Sequence, residues 1–290
     1  MPAEEPDEQR RSFSDRFGIA SDELRTRLVS GVVIAVLAFI MVWWSPKVFA
    51  VLTFFIAAAM SWEWGRIVRG PGSDIGTVVH ILAVLVAAVL SATGMAGLGV
   101  AAAFIGAIAV ATLVFGSGRS QLSGAGVLYT ALPVVALGWL RGDEPLGFDA
   151  VLVVLLMVAV TDVAAFFAGR SIGGPKLWPA VSPKKTWSGL IGGVLAATIV
   201  GALFAKLSGT GSAQWLASLG CIMGLVAQGG DLAESALKRH FDLKDASGLI
   251  PGHGGFMDRM DGIVTASIAA ALIAFAIDAF APARALLYGS

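Results

Sequence analysis

The chain has 290 residues, 57% of them hydrophobic and only 14% charged, with twenty Lys and Arg balanced by twenty Asp and Glu. Soluble domains carry about 25% charged residues, so this deficit, with a mean hydropathy of +0.81, excludes an ordinary soluble protein. With zero net charge nothing points to nucleic acid, and the single cysteine, Cys221, excludes an intrachain disulfide or a thiolate cluster.

These numbers predict an all-α integral membrane protein, because backbone in lipid must satisfy its hydrogen bonds within its own segment. Residues 1–27 are polar and lack the apolar core of a signal peptide, and are read as a disordered cytoplasmic tail. About nine apolar spans follow, near 28–44, 48–65, 77–94, 97–115, 124–140, 149–168, 190–207, 214–230 and 262–281. Residues 28–281 thus form one polytopic membrane domain, and 282–290 a short tail. With the N-terminus cytoplasmic, sixteen of the twenty basic residues fall on that side, which places the C-terminus outside and both long polar loops, 169–189 and 231–261, on the cytoplasmic face. The protein is therefore expected to be a multi-pass component of the cell's inner membrane.

In chain order, Glu63 lies near a membrane edge, and its expected role is to snorkel or to pair with Arg66 or Arg69. His80, in an apolar run, reads as a hydrogen bond within the bundle. Asp162 stands inside the span VAVTDVAAFFAG. A carboxylate there costs about 2.5–3.5 kcal/mol on insertion scales, so it should face the bundle and find a cation, a metal or a donor. Trp178 and Trp187, with the Trp43-Trp44 pair, read as interfacial anchors.

The first long loop contains Pro175, Pro179 and Pro183, which rule out a continuous helix. Its Ser182, Lys184, Lys185 and Thr186 supply hydroxyl and ammonium donors suited to a triphosphate. The second loop opens on a helix, where Asp231, Glu234, Ser235 and Lys238 share one face. Gly229-Gly230 ahead of them should let another backbone approach closely. The helix is expected to end near Lys244–Gly248. Pro251, Gly252, Gly254 and Gly255 then force a turn whose backbone N–H groups suit phosphate, with His253 held beside it. Asp258 and Asp261 follow at the mouth of the last span. A chain reversal there would bring Asp231 and Asp258 to one hard cation.

The run from Ser235 to Asp261, SALKRHFDLKDASGLIPGHGGFMDRMD, resembles the signature of the phosphatidate cytidylyltransferases, also called CDP-diacylglycerol synthases. Its Ser235, Leu237, Lys238, Arg239, Lys244, Asp245, Ser247, Ile250, Pro251, His253, Gly254, Gly255, Asp258, Arg259 and Asp261 all match that pattern. The upstream Asp162-x-x-Ala-Phe-x-x-Gly-Arg and Ser182-Pro-x-Lys-Thr elements are similar too, in the same order, and Ser188 departs from the Glu or Gln often found there. The resemblance implies transfer of CMP from CTP to phosphatidic acid, giving CDP-diacylglycerol and pyrophosphate, with Mg²⁺ held by Asp231 and Asp258 and, by analogy, K⁺ beside it. It implies Asp231, Asp258, Lys238, Arg239, His253 and Asp261 as the catalytic set. Asp162, Ser182, Lys184, Lys185, Thr186, Ser235, Lys244, Asp245, Gly254, Gly255 and Arg259 form the expected substrate-binding set. A homodimer is expected by the same analogy. A CTP-dependent lipid-alcohol kinase and a transporter with Asp162 in its path are the competing readings.

Overall fold

The computed structural model describes Val36, residues 39–250 and residues 254–290; the span expected at 28–44 lies mostly outside them, and residues 39–44 are helical. Eight further helices are long and apolar enough to cross a membrane. They are α1 (Pro46–Arg69), α2 (Ile75–Ala92), α3 (Ala96–Leu113), α4 (Ser120–Gly142), α5 (Gly147–Ser171), α6 (Trp187–Ser208), α7 (Ala213–His240) and α8 (Met257–Ile277). A short α9 (Pro282–Tyr288) follows. These eight coincide with the last eight predicted spans to within a few residues, except that α7 and α8 reach well into the second polar loop.

The first four helices pack on one another around Ala57, Val84, Ala87, Ala103, Ala131 and Val135. The larger core joins α4 to α5, α6, α7, α8 and α9 through Leu140, Val154, Met157, Leu216, Leu219 and Met223. Helices α6 and α7 touch backbone to backbone. A Cβ added at Gly220 would collide with the Ala197 carbonyl, and one at Gly201 with the Leu216 carbonyl. Close approach through small residues is how helices associate where lipid removes the hydrophobic drive.

The structure refines one polar loop and corrects the other. Residues 169–189 form no continuous helix, as the prolines predict, but hold more order than the sequence announced: α5 continues to Ser171, and β1 (Lys176–Trp178) pairs antiparallel with β2 (Ser182–Thr186), Lys176 opposite Thr186 and Trp178 opposite Ser182. In the other loop α7 stops at His240, short of the expected Lys244–Gly248. Leu243 N–H bonds to the Lys238 carbonyl and Asp242 N–H to the Arg239 carbonyl, with Asp242 at φ +54°. This 6→1 plus 5→2 pair is a Schellman ending, a role usually taken by Gly or Asn. The polar connection therefore shrinks to residues 241–256.

Caps fix the helix starts. Ser45, Asp74, Thr186 and Ser212 each accept a first-turn N–H of α1, α2, α6 and α7 with their own side chains. Helix α8 has no such local cap, since its N-cap residue is Phe256.

Candidate active site

The helices alternate in direction, so the ends of α1, α5 and α7 and the starts of α6 and α8 meet on one side. Along α7, Asp231, Glu234, Ser235 and Lys238 share the predicted face: Ser235 Oγ donates to Asp231 Oδ1 (3.4 Å), and Lys238 Nζ lies 2.7 Å from Glu234 Oε2. Lys238 also reaches across to α8, 2.5 Å from Asp258 Oδ1. The second oxygen of Asp258 accepts Ala246 N–H (3.0 Å) and Gly255 N–H (2.8 Å). From the hairpin, Lys185 Nζ lies 2.5 Å from Asp231 Oδ2. The α5 carboxylate Asp162 accepts a hydrogen bond from Gln228 Nε2 at 3.2 Å, the donor its depth in the span demanded. Asp261, one turn into α8 and buried, lies within electrostatic reach of Asp162, Asp231 and Glu234, and Arg259 within reach of Asp162. Burial strengthens such interactions by removing water.

Of the two glycines before Asp231, only Gly230 is a close-approach point, since a Cβ there would lie 2.7 Å from the Asp261 carbonyl. A Cβ on Gly229 would meet nothing within 4 Å.

Asp162, Asp231, Lys185, Ser235, Lys238, Asp258, Arg259 and Asp261 thus gather at one place. The other predicted residues are distributed differently. Thr186 is buried and caps α6, its hydroxyl accepting Gly189 N–H at 3.1 Å and sharing a 3.0 Å hydrogen bond with Ser188. Ser182 sits on β2, half-buried, while Lys184, Lys244 and Asp245 are exposed. Arg239 is exposed and donates to the Leu243 carbonyl at 3.2 Å. Gly254 pairs with Ile250 in an isolated bridge. His253, with Pro251 and Gly252, lies outside the described residues.

Glu63 is where sequence reasoning failed. It neither snorkels nor pairs with Arg66 or Arg69, but is fully buried. Its Oε1 accepts Ser247 Oγ (2.5 Å) and Phe256 N–H (2.9 Å), and its Oε2 accepts Met257 N–H (2.8 Å). The signal was present, because the insertion cost that singled out Asp162 applies equally to Glu63. Tyr129 on α4 was also missed. Its ring stacks on Trp64 at 5.0 Å, and its buried hydroxyl lies near Asp231, Glu234, Asp258 and Asp261 without a hydrogen-bond partner among the described residues. His80 matches expectation, with Nε2 2.8 Å from Thr130 Oγ1.

A predominantly helical membrane bundle with carboxylates and lysines interleaved at one end defines a class of site suited to phosphoryl groups. Comparison with known proteins gives the chain's family. The model of the cytidylyltransferase family matches residues 25–277, and the chain belongs to that family. A protein of Brucella suis named phosphatidate cytidylyltransferase is 36% identical over 245 residues, 84% of this chain and 90% of its own. Its Brucella abortus counterpart of the same name is 35% identical over the same shares. A Bacillus subtilis protein, again so named, is 36% identical over 43% of this chain and 47% of its own.

Proposed function

We propose that this enzyme transfers CMP from CTP to phosphatidic acid, with Mg²⁺, at the cytoplasmic face of the inner membrane. A phosphate oxygen of the lipid forms a bond to the α-phosphorus of CTP as the bond to the β,γ-pyrophosphate breaks; pyrophosphate leaves with the electron pair, and CDP-diacylglycerol remains. The observation that carries this reading is the convergence of three elements. Lys185 of the hairpin meets Asp231 of α7, and Lys238 of α7 meets Asp258 of α8.

The donor chemistry fits a hard divalent cation. Asp162, Asp231, Glu234, Asp258 and Asp261 outnumber Lys185, Lys238 and Arg259 in the cluster, so carboxyl oxygen donors are in excess over cationic side chains. Among the described residues no group of three or more His, Cys, Asp or Glu forms a metal cage. Mg²⁺ would therefore be held by one or two carboxylates and completed by substrate phosphates, as is common for this ion. Asp231 and Asp258 would hold it, and when bound it neutralises charge developing on the phosphates. K⁺ beside it rests on resemblance alone.

Lys185, Lys238 and Arg259 hold phosphate oxygens of the two substrates, the lysines exchanging a carboxylate partner for a phosphate one. The lipid phosphate is largely ionised near neutral pH, so the chain need not supply a base to activate it. The acyl chains stay in the bilayer while the head group enters sideways. The cytoplasmic placement is supported by the basic residues, eleven of the fifteen in the described part of the chain being on the site's side, and the same reading includes a ninth span at 28–44, a cytoplasmic N-terminus, an outward C-terminus and a homodimer.

The test is purified protein in detergent with CTP, phosphatidate and Mg²⁺, following both pyrophosphate and the nucleotide product. CMP joined to lipid is the expected product; free CDP indicates a lipid kinase instead, and no product from folded protein overturns the reading.

A further inference from the structure

Ala246 and Ser247 on one strand of the 241–256 connection, and Gly255, Phe256 and the adjoining first residue of α8, Met257, on the other, are held by two carboxylates. Asp258 takes Ala246 N–H and Gly255 N–H through Oδ2. Glu63 takes Ser247 Oγ, Phe256 N–H and Met257 N–H. The two acids interleave along the same two strands, so neither can shift without moving the other's donors. The fit is close: a Cβ added at Gly255 would lie 2.5 Å from Glu63 Oε1 and 3.0 Å from the Ala246 Cβ.

Helix α8 lacks a local side-chain cap, and its first N–H groups would otherwise be buried without partners. Glu63 supplies the cap from α1, 194 residues before Met257 in sequence. A carboxylate at a helix N-terminus is also favoured by the helix dipole. The start of α8, one residue before Asp258, is therefore fixed in space by the first helical group rather than by its own loop.

We infer that Glu63 is a positioning residue of the transfer reaction: it clamps the 246–247 and 255–257 strands so that Asp258 is presented to Lys238 and to the reacting phosphates. This deepens the proposed function and rests on it. The hydrogen-bond partners of Glu63 are Ser247, Phe256 and Met257, and it acts through the backbone that Asp258 grips. Positional errors on the scale of 1 Å at a reacting centre can cost about 100-fold in rate.

The experiment compares Glu63→Gln, Ser247→Ala and Ser247→Thr with the unaltered chain. Steady-state CMP transfer is measured with each substrate varied, alongside amide hydrogen exchange in detergent. Glu63→Gln is expected to lower kcat at least tenfold while KM for CTP changes less than threefold. Ser247→Ala should lower kcat two- to fivefold, and Ser247→Thr, which keeps the hydroxyl, should restore it. The discriminating readout is exchange at Ala246 and Gly255, whose amides bond to Asp258 and not to Glu63. Faster exchange there in Glu63→Gln supports the clamp. Unchanged exchange at those two amides, or a kcat within twofold of the unaltered chain, overturns it. If Glu63→Gln does not fold, the Ser247 pair decides, and equal kcat in Ser247→Ala and Ser247→Thr overturns the inference. If the unaltered chain transfers no CMP, the proposed function fails, and the Ala246 and Gly255 amides still decide whether Glu63 sets the position of Asp258.

Discussion

Lys238 and Asp258 join the last two long helices: the Lys238 ammonium on α7 stands 2.5 Å from Asp258 Oδ1 on α8 while also holding Glu234 at 2.7 Å. One cation thus serves two carboxylates, with little solvent to soften the arrangement, since the Glu234 side chain is fully buried and those of Lys238 and Asp258 are each 11% exposed. Removing one partner from such a group leaves an uncompensated buried charge, which typically costs about 3–5 kcal/mol. Lys238→Met should therefore lower the unfolding free energy in detergent by about that amount. Adding Glu234→Gln should recover much of the stability without restoring CMP transfer. Denaturant unfolding of the three variants checks the first part, and a product assay the second.

Asp258→Asn separates folding from chemistry. The amide oxygen can still accept Ala246 and Gly255 N–H, so the turn survives, but the charge facing Lys238 and the phosphates is gone. Loss of a preorganised electrostatic group of this kind costs about 100-fold to 1,000-fold in turnover. The expected result is a folded protein with CMP transfer reduced at least 100-fold. Asp231→Asn should behave alike, and near-normal rates in either would remove that residue from the site.

On the same side of the bundle but away from the chemistry, Asp74 caps α2. Burial pushes its carboxyl up, but hydrogen bonds from Thr77 and Arg69 and the charge of Arg69 outweigh that and hold it below the ordinary value of 3.8. A depressed carboxyl stabilises the fold fully above its unfolded pKa, and that contribution is lost as pH falls through the folded one. At neutral pH, Asp74→Ala should cost about 1 kcal/mol, the usual value of an N-cap. The gap in Tm between the two proteins should close as pH drops below 3.8.

Two glycines of α7 should respond oppositely. A side chain at Gly220 would strike the Ala197 backbone, and backbone cannot step aside, so Gly220→Val should destabilise by about 1–3 kcal/mol or more. Gly229 has open space, so Gly229→Ala should stabilise by about 0.5–1 kcal/mol through helix propensity alone. Thermal unfolding of both in one detergent checks the pair.

The last eight spans were legible because lipid exposure imposes a long apolar run, and the helical face from Asp231 to Lys238 was legible because its spacing is periodic. The end of α7 was not. Asp242 occupies the left-handed position where Gly or Asn would have announced it, and the next glycine lies beyond, at Gly248. The hairpin was hidden because Pro175, Pro179 and Pro183 argue against helix without arguing for strand, and prolines are tolerated where a strand has a free edge. Glu63 escaped because its partners are backbone amides and a serine 184 to 194 residues away. No local pattern encodes a hydrogen bond to a distant amide.

That separation has a consequence for biogenesis. Glu63 leaves the ribosome 184 to 194 residues ahead of the groups that satisfy it. At about 5–20 residues per second, the interval is roughly 10–40 s. Throughout it the nascent chain carries an acid in its second apolar stretch with none of its eventual donors yet synthesised. The early helices must wait, with that acid short of its donors, until the last crossing segment arrives. Insertion of this protein is thus completed from its C-terminal end, and a chain truncated before Met257 would leave an unsatisfied acid for membrane quality control to detect.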